Sequence, residues 1–282
     1  MLRELIERYY DGACEILAVR RSGSSGASLF VVDSMLRARP LRTLGTIGRG
    51  GYVMEQSAMD LLKPERLVFV YERLMLIAFA LATNTASALL LGLGGAAMSR
   101  HLAAYLPDCA VTIVDRDPTI IDLAKKYFYN KREVLRADAQ EVAGEAAHAF
   151  DVVLVDLYDA DDDTPFGARF WQDCRKALRP GGCLAINWAN SRERKRLAER
   201  MAAVTALLGD SFFAIERGHH PNIIQFVPTA RDVGIGQMAR RFDAFARRMK
   251  LPREDRDVMQ RCILSTRYPA RGQGGKLSLV RG

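Results

Sequence analysis

The chain has 282 residues, 49% hydrophobic and 26% charged, a composition that supports a folded core and excludes a wholly disordered chain. Its 41 Lys and Arg against 33 Asp and Glu give a formal net charge of +8, but residues 1–189 hold 22 basic and 24 acidic side chains while residues 190–282 hold 19 and 9. A near-neutral body followed by a basic final third argues against a uniformly basic nucleic-acid binder.

Five cysteines (Cys14, Cys109, Cys174, Cys183 and Cys262) are scattered without a CxxC pair. That pattern fits free thiols in a reducing cytoplasm better than a disulfide framework or a zinc site. The opening Met1-Leu2-Arg3-Glu4 lacks the apolar core of a signal peptide. Residues 74–99 run for 26 positions without a charge, long enough to cross a bilayer. Thr83-Asn84-Thr85 interrupts the run and Gly92, Gly94 and Gly95 follow, so it reads as a buried helix end, a turn and a buried strand.

In chain order, residues 14–56 are β-rich. Ile16–Arg20 and Ser28–Asp33 alternate around the turn Ser22-Gly23-Ser24-Ser25-Gly26, and Gly45, Gly48, Gly50 and Gly51 punctuate a second turn before Tyr52–Gln56. A buried helix is predicted from Pro64 to Leu81. Apolar runs then recur at Ala88–Leu91, Ala110–Val114, Asp151–Val155, Cys183–Asn187, Phe212–Ile215 and Ile223–Val227. Helical patterns at Ala96–Tyr105, Pro118–Phe128, after Ala139 and at Phe166–Leu178 separate the first four runs. Continuous apolar strands separated by helices predict a parallel sheet covered on both faces. The last two runs flank Gly218-His219-His220-Pro221-Asn222 and predict an antiparallel hairpin at one edge. His219-His220 reads as a solvated turn rather than a metal site.

This is the layout of a Rossmann-like AdoMet-transferase fold: α/β, with a mostly parallel seven-stranded sheet, a terminal antiparallel hairpin and a small N-terminal β domain. The expected units are residues 1–62 (β-rich), 63–230 (nucleoside-binding and catalytic) and 231–282. The last holds an amphipathic helix with Ile235, Met238, Phe242, Phe245 and Met249 on one face, then a tail.

Four constellations carry chemistry. Leu91-Gly92-Leu93-Gly94-Gly95-Ala96-Ala97 takes a strand through a glycine turn into a helix start, where backbone can approach a ligand and N–H groups are unpaired. The same spacing matches a dinucleotide fingerprint. Asp115 ends the second strand, where a carboxylate can accept bonds from ribose hydroxyls. Asp138-Ala139 closes the third strand, and Asp138 serves equally as an adenine contact or as a helix N-cap. Asp156, at the end of the fourth strand, and Asp159 on the following loop can hold a cationic group or take a proton from an attacking amine. Asp161–Asp163 read as a solvated acidic loop. Trp188 suits either a pocket wall or the core. The run Arg192, Arg194, Lys195 and Arg196 reads as a solvated helix face.

Over residues 50–228 the chain resembles the spermidine synthase family, the polyamine aminopropyltransferases. The resemblance rests on Gln56-Ser57, Tyr71-Glu72-Arg73-Leu74-Met75, the glycine loop, Asp115-Arg116-Asp117, Asp138-Ala139 and Asp156-x-x-Asp159. It implies a homodimeric or homotetrameric enzyme that moves an aminopropyl group from decarboxylated AdoMet to a small amine, without metal or membrane. It places Gln56 and Tyr71 in the nucleoside and amine pocket, Asp115 on the ribose and Asp138 on adenine. Asp156 becomes the base or amine anchor and Asp159 a diamine contact. Three positions depart from the family pattern. Gly95 stands where the family carries a loop acid that grips the transferred amino group. Asp156-Leu157-Tyr158-Asp159-Ala160 replaces Asp-Ser-Ser-Asp-Pro, and Glu72 replaces a Gln or His. Two other readings of the same nucleoside pocket are an AdoMet-dependent small-molecule methyltransferase and a noncatalytic regulatory protein. An NAD-dependent oxidoreductase leaves the Asp156 loop without a role.

Overall fold

A computed structural model describes residues 1–36, 38–48, 50–157, 166–188, 194–216, 222–230, 235–258, 262–266, 269–271 and 277–279. Tyr158, Asp159, Asp161–Asp163, Arg192 and His219-His220 lie outside them. Helix α1 (Leu2–Tyr9) precedes four strands, β1 (Cys14–Arg21), β2 (Ser28–Leu36), β3 (Arg39–Ile47) and β4 (Val53–Asp60), which form an antiparallel sheet in sequential order. Gly45 lies inside β3 rather than in the predicted turn. A Cβ there would come within 2.1 Å of the Phe30 ring, so the glycine makes room for a fully buried aromatic.

The helix predicted from Pro64 starts only at Val70. It forms as two short pieces, α2 (Val70–Met75) and α3 (Ile77–Leu81). Side chains, not helical N–H groups, take the preceding carbonyls: Arg100 Nε donates to Pro64 O at 2.9 Å, His101 Nδ1 to Glu65 O at 3.0 Å, and Arg73 Nη2 to Leu67 O. Satisfied that way, residues 64–67 have no need of a helical ladder. No helix among the described residues is long and apolar enough to cross a membrane.

The α/β part then alternates β5 (Ser87–Leu91), α4 (Ala97–Tyr105), β6 (Ala110–Val114), α5 (Pro118–Tyr127), α6 (Ala139–Glu145), β7 (Phe150–Val155), α7 (Ala168–Lys176), β8 (Leu178–Trp188), α8 (Arg194–Leu208), β9 (Phe212–Glu216) and β10 (Ile223–Pro228). Helices α9 (Ile235–Arg248) and α10 (Arg253–Arg256) and strand β11 (Cys262–Ser265) follow. The seven-stranded sheet runs β11-β9-β10-β8-β7-β5-β6, parallel through β6, β5, β7 and β8 and antiparallel beyond. Buried side chains alternate between two cores. Leu90, Leu154 and Ala185 face α3, α4 and α9, while Leu89, Leu91, Val155 and Ile186 face α7 and α8. Burial on both faces is what makes the parallel strands apolar throughout.

Two sheet details differ from expectation. The third strand, which Asp138 was to close, is reduced to one parallel bridge between Val114 and Leu135. Residues 131–138 bring only Val134, Leu135 and Ala137 as apolar side chains among Lys131, Arg132, Glu133 and Arg136, too few for a strand buried on both faces. The antiparallel β9/β10 pair is not at the edge either, because β11 adds outside β9 and completes the count of seven. Of the predicted face, Met238, Phe242 and Phe245 on helix α9 are buried, and Phe245 stacks on Phe79 at 6.3 Å.

Asp117 fixes the small sheet to the large one. Its carboxylate caps α5 by accepting from Thr119 N at 2.8 Å, and it also accepts from Ser22 Oγ at 2.5 Å and Gly23 N at 3.1 Å in the β1–β2 turn. Asp117→Ala removes the cap and leaves the buried Ser22 hydroxyl without its acceptor, and is expected to cost about 1–3 kcal/mol of stability. Denaturant unfolding checks it; a loss within 0.5 kcal/mol of wild type, roughly the scatter of a surface substitution, would show that the clamp is not stabilising.

Candidate active site

Gln56, Ser57, Tyr71, Glu72, Met75, Gly92, Gly94 and Asp156 surround one cavity at the carboxyl ends of β5 and β7, with Met98 and Leu154 as apolar walls. Ligands bind at this edge in open α/β sheets, because the strand ends and following loops leave a crevice there. Gly92 has φ +103°, and a Cβ on it would stand 2.2 Å from the Asp156 carbonyl. The loop can pass over the end of β7 only as glycine. Its N–H donates to Val114 O and the Asp156 N–H donates to Leu91 O, both at 2.9 Å. These bonds carry the strand ladder into the site.

Strand β4 supplies the opposite wall. The Tyr71 hydroxyl lies 3.2 Å from Gln56 O and also within reach of the Asp156 carboxylate, so its single proton is shared between the two acceptors. The Tyr71 ring stacks on Phe69 at 5.9 Å. A side chain on Gly95 would meet Ser57 Oγ at 2.8 Å and Phe128 at 3.2 Å. Ser57 and Phe128 therefore fill the space that an acid at this position would need.

Asp156 ends β7. Burial pushes its carboxyl above the usual carboxylate range, while hydrogen bonds from Asn187 and Tyr71 oppose that. Asn187 Nδ2 donates to Asp156 Oδ1 at 2.8 Å, and the other amide atom, Asn187 Oδ1, is buried without a hydrogen bond among the described residues. Glu72 is 3% exposed and accepts at Oε2 from the Phe69 N–H at 3.1 Å. Burial, with the neighbouring Asp156 charge adding to it, pushes its carboxyl up to about 8 against that hydrogen bond and the positive charges of Arg100 and Arg73.

Asp115, Asp138 and Ala139 are not among the residues that line the cavity. Asp115 accepts from Leu93 N at 3.0 Å and from Asp117 N at 2.9 Å, holding the glycine loop to the end of β6. Burial raises its carboxyl and the two N–H groups oppose the rise. Asp138 caps α6 by accepting from Gln140 N at 2.8 Å, with Arg116 Nη1 at 3.9 Å. Ala139 is the first residue of that helix. Trp188 is a core residue, donating to Gln225 Oε1 at 3.0 Å and packing on Trp171 at 5.6 Å. Asn187 was not singled out from the sequence. Its signal is a polar residue near the end of an apolar strand, on the edge where ligands bind. No group of three His, Cys, Asp or Glu able to hold a metal occurs among the described residues.

Residues 88–182 match the family model for a methyltransferase domain. A polyamine aminopropyltransferase of Neisseria meningitidis serogroup A is 35% identical over 161 residues, 53% of this chain and 60% of that protein. One of Chromobacterium violaceum is 32% identical over 146 residues, 49% of this chain and 56% of that protein. The matches thus span less than two thirds of these relatives. Among solved structures, a probable spermidine synthase of Corynebacterium glutamicum superposes with a TM-score of 0.66 at 18% identity, over 81% of this chain and 87% of that one. Human methyltransferase-like protein 13 in complex with SAH gives 0.57 at 20% identity, over 66% of this chain and 95% of that one. The chain is similar over about half its length to polyamine aminopropyltransferases and has the Rossmann-like methyltransferase fold of the solved spermidine synthases.

Proposed function

We propose that the protein transfers an aminopropyl group from decarboxylated AdoMet to a small amine, releasing methylthioadenosine. The observation that carries the reading is the convergence of Gln56, Tyr71, the Gly92–Gly94 turn and Asp156 on one cavity, in a chain similar to polyamine aminopropyltransferases. The glycine turn and Asp115 hold the nucleoside, with Asp138 and Ala139 beside the base. The amine nitrogen forms a bond to the propyl carbon beside the sulfonium. The carbon–sulfur bond breaks and its electron pair returns to sulfur. The nitrogen sheds a proton, and Asp156, raised by burial, is the acceptor; Asp159 is proposed as a second contact for the amine. Alignment of the amine with the carbon supplies much of the rate.

The resemblance also supports a homodimer, and the five free cysteines support a reducing, cytoplasmic location. Calorimetric titration with decarboxylated and ordinary AdoMet, followed by product analysis with a diamine present, tests the reading. The expected result is preference for the decarboxylated donor and release of methylthioadenosine. Binding of ordinary AdoMet alone, with S-adenosylhomocysteine as product, would replace it with methyl transfer, the reading that the methyltransferase-domain match favours.

A further inference from the structure

We infer that Glu72 is the carboxylate that receives the ammonium of the transferred aminopropyl group, and that it sets the preference for the decarboxylated donor. The inference rests on the aminopropyl reading above. That group ends in a primary amine, cationic at neutral pH, and a cation entering a buried cavity needs an anionic partner. The described lining contains two carboxylates, Asp156 and Glu72. The glycine loop cannot add a third at Gly95, because Ser57 and Phe128 fill the space there.

The two acids are held differently. Asp156 is engaged by Asn187 and Tyr71 at the end of β7, where the acceptor amine must lose its proton. Glu72 stands on the first turn of α2, so a different element positions it. One oxygen, Oε2, accepts from the Phe69 N–H, and the residue lines the cavity. Burial, with Asp156 nearby, favours the protonated form of Glu72 in the empty cavity. An ammonium entering between the two acids favours the ionised form instead, so Glu72 gives up its proton as the cation arrives. The same pair disfavours a donor that brings its own carboxylate, as ordinary AdoMet does.

The test compares wild type with Glu72→Gln, which keeps an acceptor for the Phe69 N–H and removes the charge. Binding of decarboxylated AdoMet is expected to weaken about 10- to 100-fold, the loss of one charge-assisted hydrogen bond. Methylthioadenosine, which lacks the aminopropyl group, is expected to bind both proteins equally, and ordinary AdoMet is expected to bind the variant more tightly than wild type. A variant that binds decarboxylated AdoMet like wild type overturns the assignment to Glu72 and leaves the aminopropyl reading standing. A variant that loses methylthioadenosine equally also overturns it, by giving Glu72 a purely structural role. A wild-type protein that binds methylthioadenosine no more weakly than decarboxylated AdoMet overturns both.

Discussion

Asp156→Asn is expected to lower kcat for amine alkylation by about 10²- to 10⁴-fold, the range for loss of a positioned general base, with methylthioadenosine binding unchanged. The two side chains have the same shape, and the amide oxygen can still accept from Asn187 Nδ2, which lies 2.8 Å from Asp156 Oδ1. What disappears is an acceptor for the proton that nitrogen must lose as its bond to carbon forms. The proposed role in proton removal is separable from binding: the loss should fall on kcat and not on nucleoside affinity. Raising pH should recover part of the lost rate, because a larger fraction of the free amine then arrives deprotonated. Turnover equal to wild type would remove Asp156 from the chemistry. Loss of methylthioadenosine binding instead would recast it as a support for the Gly92 turn, which its backbone contacts directly.

What the sequence could and could not reveal follows from where the information lies. The β5-to-β8 core was legible because strands buried on both faces must be apolar throughout, and each ends at a residue whose position along the strand is readable. Asp115 and Asp156 were therefore placed at strand ends correctly. Glu72 was visible only as a departure. Nothing in its spacing shows that α2 turns it into the cavity of Asp156, since that depends on residues 64–67 giving their carbonyls to Arg73, Arg100 and His101 instead of to a helix. Gly45 misled for a similar reason. A glycine in a turn and a glycine beneath an aromatic ring look alike until the partner strand brings Phe30 over it. Strand β11 was invisible because Cys262–Ser265 is four residues long and gains its place from pairing with β9.

Arg73→Leu is expected to destabilise the protein by about 3–5 kcal/mol, the cost of leaving one member of a buried ion pair alone. Arg73 Nε lies 3.0 Å from Asp255 Oδ1, with side-chain exposures of only 8% and 2%. His101 Nε2 is 3.9 Å from the other carboxylate oxygen, but burial first, and then the charge of Arg73, hold that imidazole down to about 4, so in the wild-type protein it is neutral near pH 7 and Arg73 is the cation that faces Asp255. Burial already pushes Asp255 up to about 6 against the favourable charge of Arg73. Without Arg73 it rises further, so the folded variant retains a proton that the unfolded chain releases near pH 4. Its stability then falls as pH rises from 4 through the raised value, and the penalty at pH 8 exceeds that at pH 5. Denaturant unfolding at the two pH values measures this. Arg73→Leu combined with Asp255→Asn is expected to recover most of the loss, because no charge is then left buried. A single variant as stable as wild type at pH 8 would show the pair to be inert. The pair joins α2, which carries Tyr71 and Glu72, to α10 in the basic final third. That segment is held to the site by an acid of its own, and its net charge says little about what the site binds.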